Sequence, residues 1–136
     1  MLSHGHYSIH NHGQLLIVRC IGSWTNYTAR QMSQDLHRQI KQICNQPWAV
    51  IFSTVDWELG TPDIWLPLSK LIQWSAMHNQ KKMAIVYKKR LQLIMLTRLL
   101  EPHKTIETEA FGDEESALTW LAEFQTGSAK DTNLGS

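Results

Sequence analysis

Apolar residues form short runs along the chain, separated by polar turns. The run Trp48–Val55 is almost continuous rather than alternating, which is typical of a strand buried on both faces of a sheet. A second run, Leu15–Ile21, follows the turn His12-Gly13-Gln14 and the shorter segment Tyr7–Asn11. This arrangement predicts a β-hairpin whose first strand lies at a sheet edge. We therefore expect a sheet with 48–55 as a central strand.

Beyond Gly22 the apolar positions take the helical period. The residues that form one helical stripe are Met32, Leu36, Ile40 and Ile43. They predict a helix from Tyr27, capped by Thr25 or Asn26 and ended before Pro47. The remaining pattern predicts a helix over Pro62–His78, a strand over Met83–Tyr87, a helix over Leu91–Leu100, an edge strand over Thr105–Phe111, and a last helix capped by Gly112-Asp113.

The predicted element order is β-β-α-β-α-β-α-β-α, which indicates an α/β fold. Alternation of this kind favours a single domain with a mixed sheet of four to five strands, covered by about four helices. We assign residues 1–125 to this domain. Residues 126–136 hold few apolar side chains, and we expect them to form a flexible C-terminal tail.

The composition of the chain limits which classes of partner are expected. The 136 residues carry a net charge of +1, so neither nucleic-acid binding nor a polybasic membrane anchor is expected. No apolar run approaches the roughly 20 residues needed to cross a bilayer, so membrane insertion is not expected. Cys20 and Cys44 have no neighbouring metal ligands, which argues against a zinc site and favours reduced thiols in a cytoplasmic protein.

Three stretches carry a resemblance to a known family. They are Pro47-Trp48-Ala49, the segment Trp57–Pro62, and the ending Phe111–Leu121 (FGDEESALTWL). With the element order, they resemble the STAS domain of bacterial anti-sigma-factor antagonists, over nearly all of Tyr7–Gln125. The similarity is to an uncharacterised bacterial subgroup. It implies a non-enzymatic regulatory or protein-interaction domain, with no known activity attached.

One position departs from the family pattern. In phosphorylated antagonists of this family an Asp ends the central strand and a phosphorylatable Ser follows directly. Here Asp56 matches the Asp, but Trp57 stands in place of the Ser. A phosphorylation switch at that position is therefore not expected. Thr61 is the nearest hydroxyl at a helix start, and we interpret it as an N-cap before Pro62.

The candidate partner- or ligand-binding residues lie after the strand ends. They are Trp24, Asp56, Trp57, Glu58, Thr61 and Trp65. The three indoles are expected on one side of the sheet, where they either form a sticky surface or pocket or pack into the core. The second and third helices are apolar around much of their circumference, which favours a partner protein or a homodimer. The alternative is a small apolar or lipid-like ligand in a Trp-lined pocket.

Two further sets of residues are candidate chemical sites. Asp56 and Glu58 could act as an acid/base pair, but no nucleophile or phosphate loop accompanies them, so no enzyme activity and no cofactor are predicted. His4, His6, His10 and His12 fall on one face of an extended strand. They could bind a transition metal, but neighbours about 7 Å apart suit an exposed polar face better, and no metal site is predicted.

Overall fold

A computed structural model describes residues 5–125 of the chain. It contains one five-stranded sheet in which the strands lie side by side in chain order. The elements are β1 (His6–His12), β2 (Leu15–Trp24), α1 (Asn26–Lys41), β3 (Trp48–Gly60), a 3₁₀ turn (Pro62–Ile64), α2 (Trp65–Ala76), β4 (Gln80–Val86), α3 (Arg90–Leu100), β5 (Glu107–Phe111) and α4 (Glu114–Trp120). The predicted α/β fold and its element order are confirmed.

The order of the strands follows from the connections. A tight turn with Gly13 at φ 71° joins β1 to β2 as an antiparallel hairpin, as predicted. The pairs β2–β3, β3–β4 and β4–β5 are parallel. Each parallel pair is joined through a helix, and such crossovers are right-handed. Because the strands are added in one direction, α1, α2 and α3 all lie on the same face of the sheet.

The two faces of the sheet are covered unequally. Alternate residues of β2, such as Leu16 and Val18, pack under the three crossover helices in the larger core. Their neighbours Leu15 and Ile17 point to the opposite face, where the helix α4 supplies the cover. The strand β3 is thus buried from both sides, which confirms the prediction made from the apolar run starting at Trp48.

Polar contacts at its borders fix α4 on the sheet. Asp113 caps the helix as predicted, accepting a hydrogen bond from the backbone N–H of Ser116 at 2.7 Å. Arg19 of β2 forms a two-pronged ion pair with Glu114, with both N–O distances at 2.8 Å. On the other side, the Lys82 ammonium lies 4.8 Å from the Trp120 ring centre. The position of α4 on the sheet is therefore stabilised by an ion pair and a cation–π contact as well as by its apolar face.

Several predicted boundaries were wrong. The central strand was predicted to end at Val55, but β3 continues to Gly60, because β2 also extends to Trp24 and keeps pairing with it. The second helix begins with a 3₁₀ turn and ends at Ala76. Thr25 and Thr61 precede helices, but neither side chain makes a capping hydrogen bond. The predicted tail, 126–136, and His4 lie outside the described residues.

Candidate functional site

The carboxyl end of β3 is the candidate site, and a bulge shapes it. Arg19 pairs with Ser53, but the next pair, Ile21 with Asp56, leaves one extra residue on β3. Strict alternation would turn Trp57 to the same face as Ser53. The bulge reverses that parity and aims the Trp57 indole under the crossover helices, where it is 1 % exposed. The bulge therefore decides where the indole points.

A second irregularity closes the strand pair. Two steps of β2, from Gly22 to Trp24, match three steps of β3, from Trp57 to Gly60. At this bulge Leu59 has φ 64° and Gly60 has φ 152°. A Cβ on Gly60 would lie 1.9 Å from the Trp24 carbonyl oxygen, so only glycine fits there. The chain then turns immediately into the 3₁₀ helix.

Beneath this turn lies a cluster of aromatic rings. Ring centres are 5.1 Å apart for Trp24 and Trp57, 6.0 Å for Phe52 and Trp57, and 6.0 Å for Trp57 and Trp65, all edge to face. Such contacts are favourable beyond the burial of their area. Trp24 is fully buried, and its indole N–H donates to the His6 carbonyl at 3.0 Å and the Ile21 carbonyl at 3.2 Å.

This placement separates the three tryptophans that the sequence grouped. Trp24 and Trp57 belong to the core, which was one of the two alternatives, and in this conformation they offer no surface to a partner. Trp65 is only partly buried and packs against the core from its edge. It is the one of these three indoles that reaches the surface of the site.

The strand residues on either side of Trp57 are acidic and exposed. Asp56 and Glu58 flank the buried Trp57 and both point to solvent, since residues two apart on a strand share a side. Within residues 5–125 neither carboxylate forms a hydrogen bond or ion pair. The Thr61 hydroxyl donates to the Asp63 carboxylate rather than to the backbone. Leu66, one residue beyond Trp65, is 62 % exposed.

One polar pair inside the site was not foreseen from sequence. Gln92 of α3 is 4 % exposed, and its side-chain N–H donates to the Trp57 carbonyl at 2.7 Å. The remaining side-chain oxygen of Gln92 and the Trp57 indole N–H are both buried without a partner within residues 5–125. Unpartnered buried polar groups are costly, at about 1–3 kcal/mol each. The conformation of the cluster is therefore less strongly stabilised than its burial suggests.

The sequence-predicted chemical groups are arranged without a catalytic constellation around them. Asp56 and Glu58 extend from one strand into solvent, with no described histidine, cysteine or serine bonded to either. His6, His10 and His12 lie on one face of β1, opposite Ile21, Ile17 and Leu15 of β2, as the period-two spacing predicted. Among residues 5–125, no group of three or more His, Cys, Asp or Glu could hold a metal ion.

An apolar cavity bears on the ligand alternative. It has a volume of about 30 Å³ and lies between the crossover helices and the sheet, against Trp48, Gln80 and Leu96. These residues include the starts of β3 and β4, so the cavity is at the amino end of the strands, away from Trp24 and Trp65. Ligand pockets typically measure about 300–1,000 Å³. This cavity is far too small for a lipid.

Comparison with known proteins identifies the fold. No protein-family model matches the chain, and no curated protein matches it. Among solved structures, it is similar to an uncharacterised DUF3478-family protein with a SpoIIAA-like fold from Shewanella loihica PV-4 (TM-score 0.69, 19% identity, covering 89% of this chain and 96% of that one). It is also similar to an anti-sigma factor antagonist from Mycobacterium paratuberculosis (TM-score 0.59, 14% identity, covering 85% and 92%).

These similarities define the chain as a single α/β unit with the SpoIIAA-like architecture. It has a STAS-like fold, which confirms the resemblance drawn from its sequence. Of the helices within residues 5–125, none combines the length and apolar character that crossing a membrane requires.

Proposed function

We propose that this chain is a non-enzymatic regulatory domain that binds a protein partner at the carboxyl end of β3. The observation that carries the proposal is the exposed carboxylate pair, Asp56 and Glu58, on the two sides of the buried Trp57, together with Leu66 exposed at the start of α2. Unpaired exposed carboxylates and an exposed apolar side chain near the end of β3 suit a partner that presents basic and apolar residues. Trp65 supplies a ring held against Trp57 at the edge of that surface.

The fold similarity supports a protein partner. One structural neighbour is an anti-sigma factor antagonist, a protein that acts on another protein. In the family pattern the residue after the matching Asp is a phosphorylatable Ser, whereas here the buried Trp57 follows Asp56. The partner would therefore sense a permanent acidic surface rather than one modified at this position. A cytoplasmic setting, expected from the free Cys20 and Cys44, belongs to this proposal.

Site-specific photo-crosslinking tests the surface directly. A photoreactive residue is placed at Glu58 or, as the control, at the exposed Glu115 of α4, and the chain is expressed in cells. We expect a discrete adduct at position 58, identifiable by mass spectrometry, and none at position 115. Adducts of the same masses at both positions, or none at 58, would contradict the proposal.

A pair of α2 variants adds a quantitative test once an adduct is identified. Leu66 and Met77 are both exposed, at 62% and 74%, but Met77 lies at the far end of the helix. Leu66→Ser should weaken binding to the purified partner by at least about tenfold, the effect of an interface residue worth about 1.4 kcal/mol. Met77→Ser should leave the affinity unchanged.

Native mass spectrometry separates the remaining alternatives. A homodimer without added mass would make a second copy the partner, with Trp65→Ala expected to weaken the dimer. Extra mass on the folded chain would favour the small apolar ligand instead, because a protein-interaction domain carries no cargo. If Trp65→Ala only lowers the melting temperature, Trp65 acts in the core and not in binding.

A further inference from the structure

A surface groove between α1 and α2 gathers positive charge. It has a volume of about 200 Å³, and Arg30 of α1 and Lys70 of α2 line it from opposite sides. Both side chains are exposed, and no ion pair found within residues 5–125 involves either. None of the groove's lining residues is a carboxylate. The groove is therefore a local concentration of uncompensated positive charge on a chain whose net charge is only +1.

Two polar atoms at the base of this groove lack partners. The Ser33 hydroxyl oxygen and the His37 Nε2 are shielded from solvent and make no hydrogen bond within residues 5–125. The two residues are one helical turn apart, so they face the groove from the same side of α1 as Arg30. Burying such groups without partners is unfavourable, and a ligand that supplied hydrogen-bond acceptors would remove that cost.

The imidazole of His37 is held in position by its neighbours. Its ring centre lies 3.9 Å from that of Trp74, and His78 stacks on the same indole at 4.1 Å. The Nδ1 of His78 donates to the Trp74 carbonyl at 2.7 Å, which fixes that ring in turn. Burial lowers the pKa of His37, and the nearby Lys41 and His78 add to the effect. The lowered pKa favours the neutral ring, which has one N–H to offer an acceptor.

The donor set favours a tetrahedral anion over a planar one. A carboxylate can be satisfied by one guanidinium alone, through two parallel hydrogen bonds. Here residues that carry a guanidinium, an ammonium, a hydroxyl and an imidazole line one groove from two helices, which matches the several oxygens of a phosphate group. Pro67 and Leu71 form an apolar wall beside them, able to contact the carbon part of a phosphate ester.

We propose that the groove between α1 and α2 is a binding site for a phosphate group, carried by a small phosphate ester or by a lipid headgroup. Arg30 and Lys70 neutralise its charge, while Ser33 and His37, whose polar atoms are shielded in the free protein, turn toward the groove to donate hydrogen bonds to its oxygens. The site does not depend on partner binding at the carboxyl end of β3, because none of the groove's residues belongs to that surface.

The first test uses inorganic phosphate as the probe. Nitrogen-15 NMR titration of the full chain should shift the amide signals of residues 30–37 and 68–71. The double variant Arg30→Gln/Lys70→Gln should weaken binding by roughly tenfold for each cation removed, the factor that ~1.4 kcal/mol per charge-assisted contact produces. Ser33→Ala should weaken it further, since the hydroxyl is then unable to donate.

A matched double variant controls for general electrostatics. Arg98→Gln/Lys88→Gln removes the same charge from exposed positions outside the groove. We expect it to bind phosphate as the wild type does. If both double variants lose affinity equally, the attraction is diffuse and the proposed site is wrong.

A vesicle assay distinguishes the two sources of phosphate. Vesicles of phosphatidylcholine, with and without phosphatidic acid, are floated with the protein. Retention that needs phosphatidic acid and is lost only in Arg30→Gln/Lys70→Gln identifies a lipid headgroup; shifts with inorganic phosphate but no retention identify a soluble ester. No amide shift with phosphate and no retention on either vesicle would overturn the proposal, while leaving the partner surface at β3 untouched.

Discussion

Three helices close one face of the sheet, whereas the seven-residue helix α4 closes the other. The first face holds a continuous apolar core that reaches from α1 to Leu100 and includes three fully buried indoles, those of Trp24, Trp48 and Trp57. The second face has a smaller cluster around Ala117 and Leu121, bordered by ion pairs. The larger core stabilises the fold through the apolar area that it removes from water. The face covered by α4 depends on ion pairs as well as on buried apolar area.

This difference teaches how a short helix can complete a fold. Seven helical residues cannot bury enough apolar surface to match three longer helices, and isolated helices of that length are not stable in water. Ion pairs on both sides of α4, from Arg19 and from Lys82, restrict where it can lie. The contribution of these pairs changes with salt and pH, while that of the larger core does not.

Adjacent leucines of β2 offer the sharpest test of this contrast. Leu16 faces the larger core and Leu15 faces α4, and both are fully buried. Replacing a buried leucine by alanine costs about 2–5 kcal/mol, depending on how well the site collapses. We expect Leu16→Ala in the upper half of that range and Leu15→Ala in the lower half, since α4 can settle into the gap. Urea unfolding measures both, and equal losses would remove the contrast.

Amide hydrogen exchange should show, without any substitution, that the two faces open with different free energies. Backbone amides of 117–121 should exchange through local detachment of α4, at an opening free energy at least about 2 kcal/mol below that of global unfolding. Amides of the central strand, such as that of Ile51, should exchange only on global unfolding. If both sets give the same opening energy, α4 does not open independently of the rest of the fold.

The Arg19–Glu114 pair should show its contribution through pH. The hydrogen bonds from Arg19 hold the pKa of Glu114 below its ordinary value of 4.5. A carboxyl with a lowered pKa in the folded state stabilises the fold above 4.5, and this stabilisation is lost as the pH falls through the folded-state pKa. Because both side chains are partly exposed, we expect Glu114→Gln to cost about 1 kcal/mol at pH 7 and nothing in strong acid.

The neighbouring Glu115 serves as the matched control for that variant. It is exposed in the same first helical turn, so Glu115→Gln removes the same charge near the helix start without breaking an ion pair with Arg19. Chemical denaturation at several pH and salt values compares the two. A loss for Glu114→Gln that persists unchanged in strong acid would show that the effect is not electrostatic.

Among these variants, a substitution of Lys82 should have the smallest effect on the free energy of unfolding. Its ammonium lies 3.8 Å from Glu107, 4.0 Å from Glu123 and over the Trp120 ring. The distances are long and the carboxylates exposed, so Lys82→Met should cost only about 0.5 kcal/mol and the cost should shrink in high salt. Thermal unfolding in low and high salt measures this. A larger, salt-independent loss would mean that the side chain acts by packing.

The sequence was most informative where apolar runs were long. Leu15–Ile21 and Trp48–Val55 predicted the two central strands, and the order of elements then limited the topology to a parallel sheet with an antiparallel edge. The end of β3 was missed because Asp56 and Glu58 look like loop residues. The bulge that buries Trp57 between them depends on pairing with β2, which is a contact between distant parts of the chain.

The candidate sites also depend on contacts between distant parts of the chain, which the sequence does not reveal. The exposed carboxylates were recognised, but Gln92 was not, because nothing near it in sequence indicates contact with Trp57. The groove of Arg30 and Lys70 was missed for a related reason. Its residues lie on the polar side of one helix and at the margin of another, so each alone suggests a solvated surface. Only the packing of α1 against α2 brings them together.

The chain-order arrangement of the strands has a consequence for synthesis on the ribosome. The sheet and the three crossover helices are complete once Phe111 has been made, but the second face then still exposes Leu15, Ile51 and Val86. Its cover, including Phe124, is translated after all five strands. Until those residues leave the ribosomal tunnel, the nascent chain presents an apolar surface of the kind that chaperones bind, so the fold is completed only after α4 has emerged.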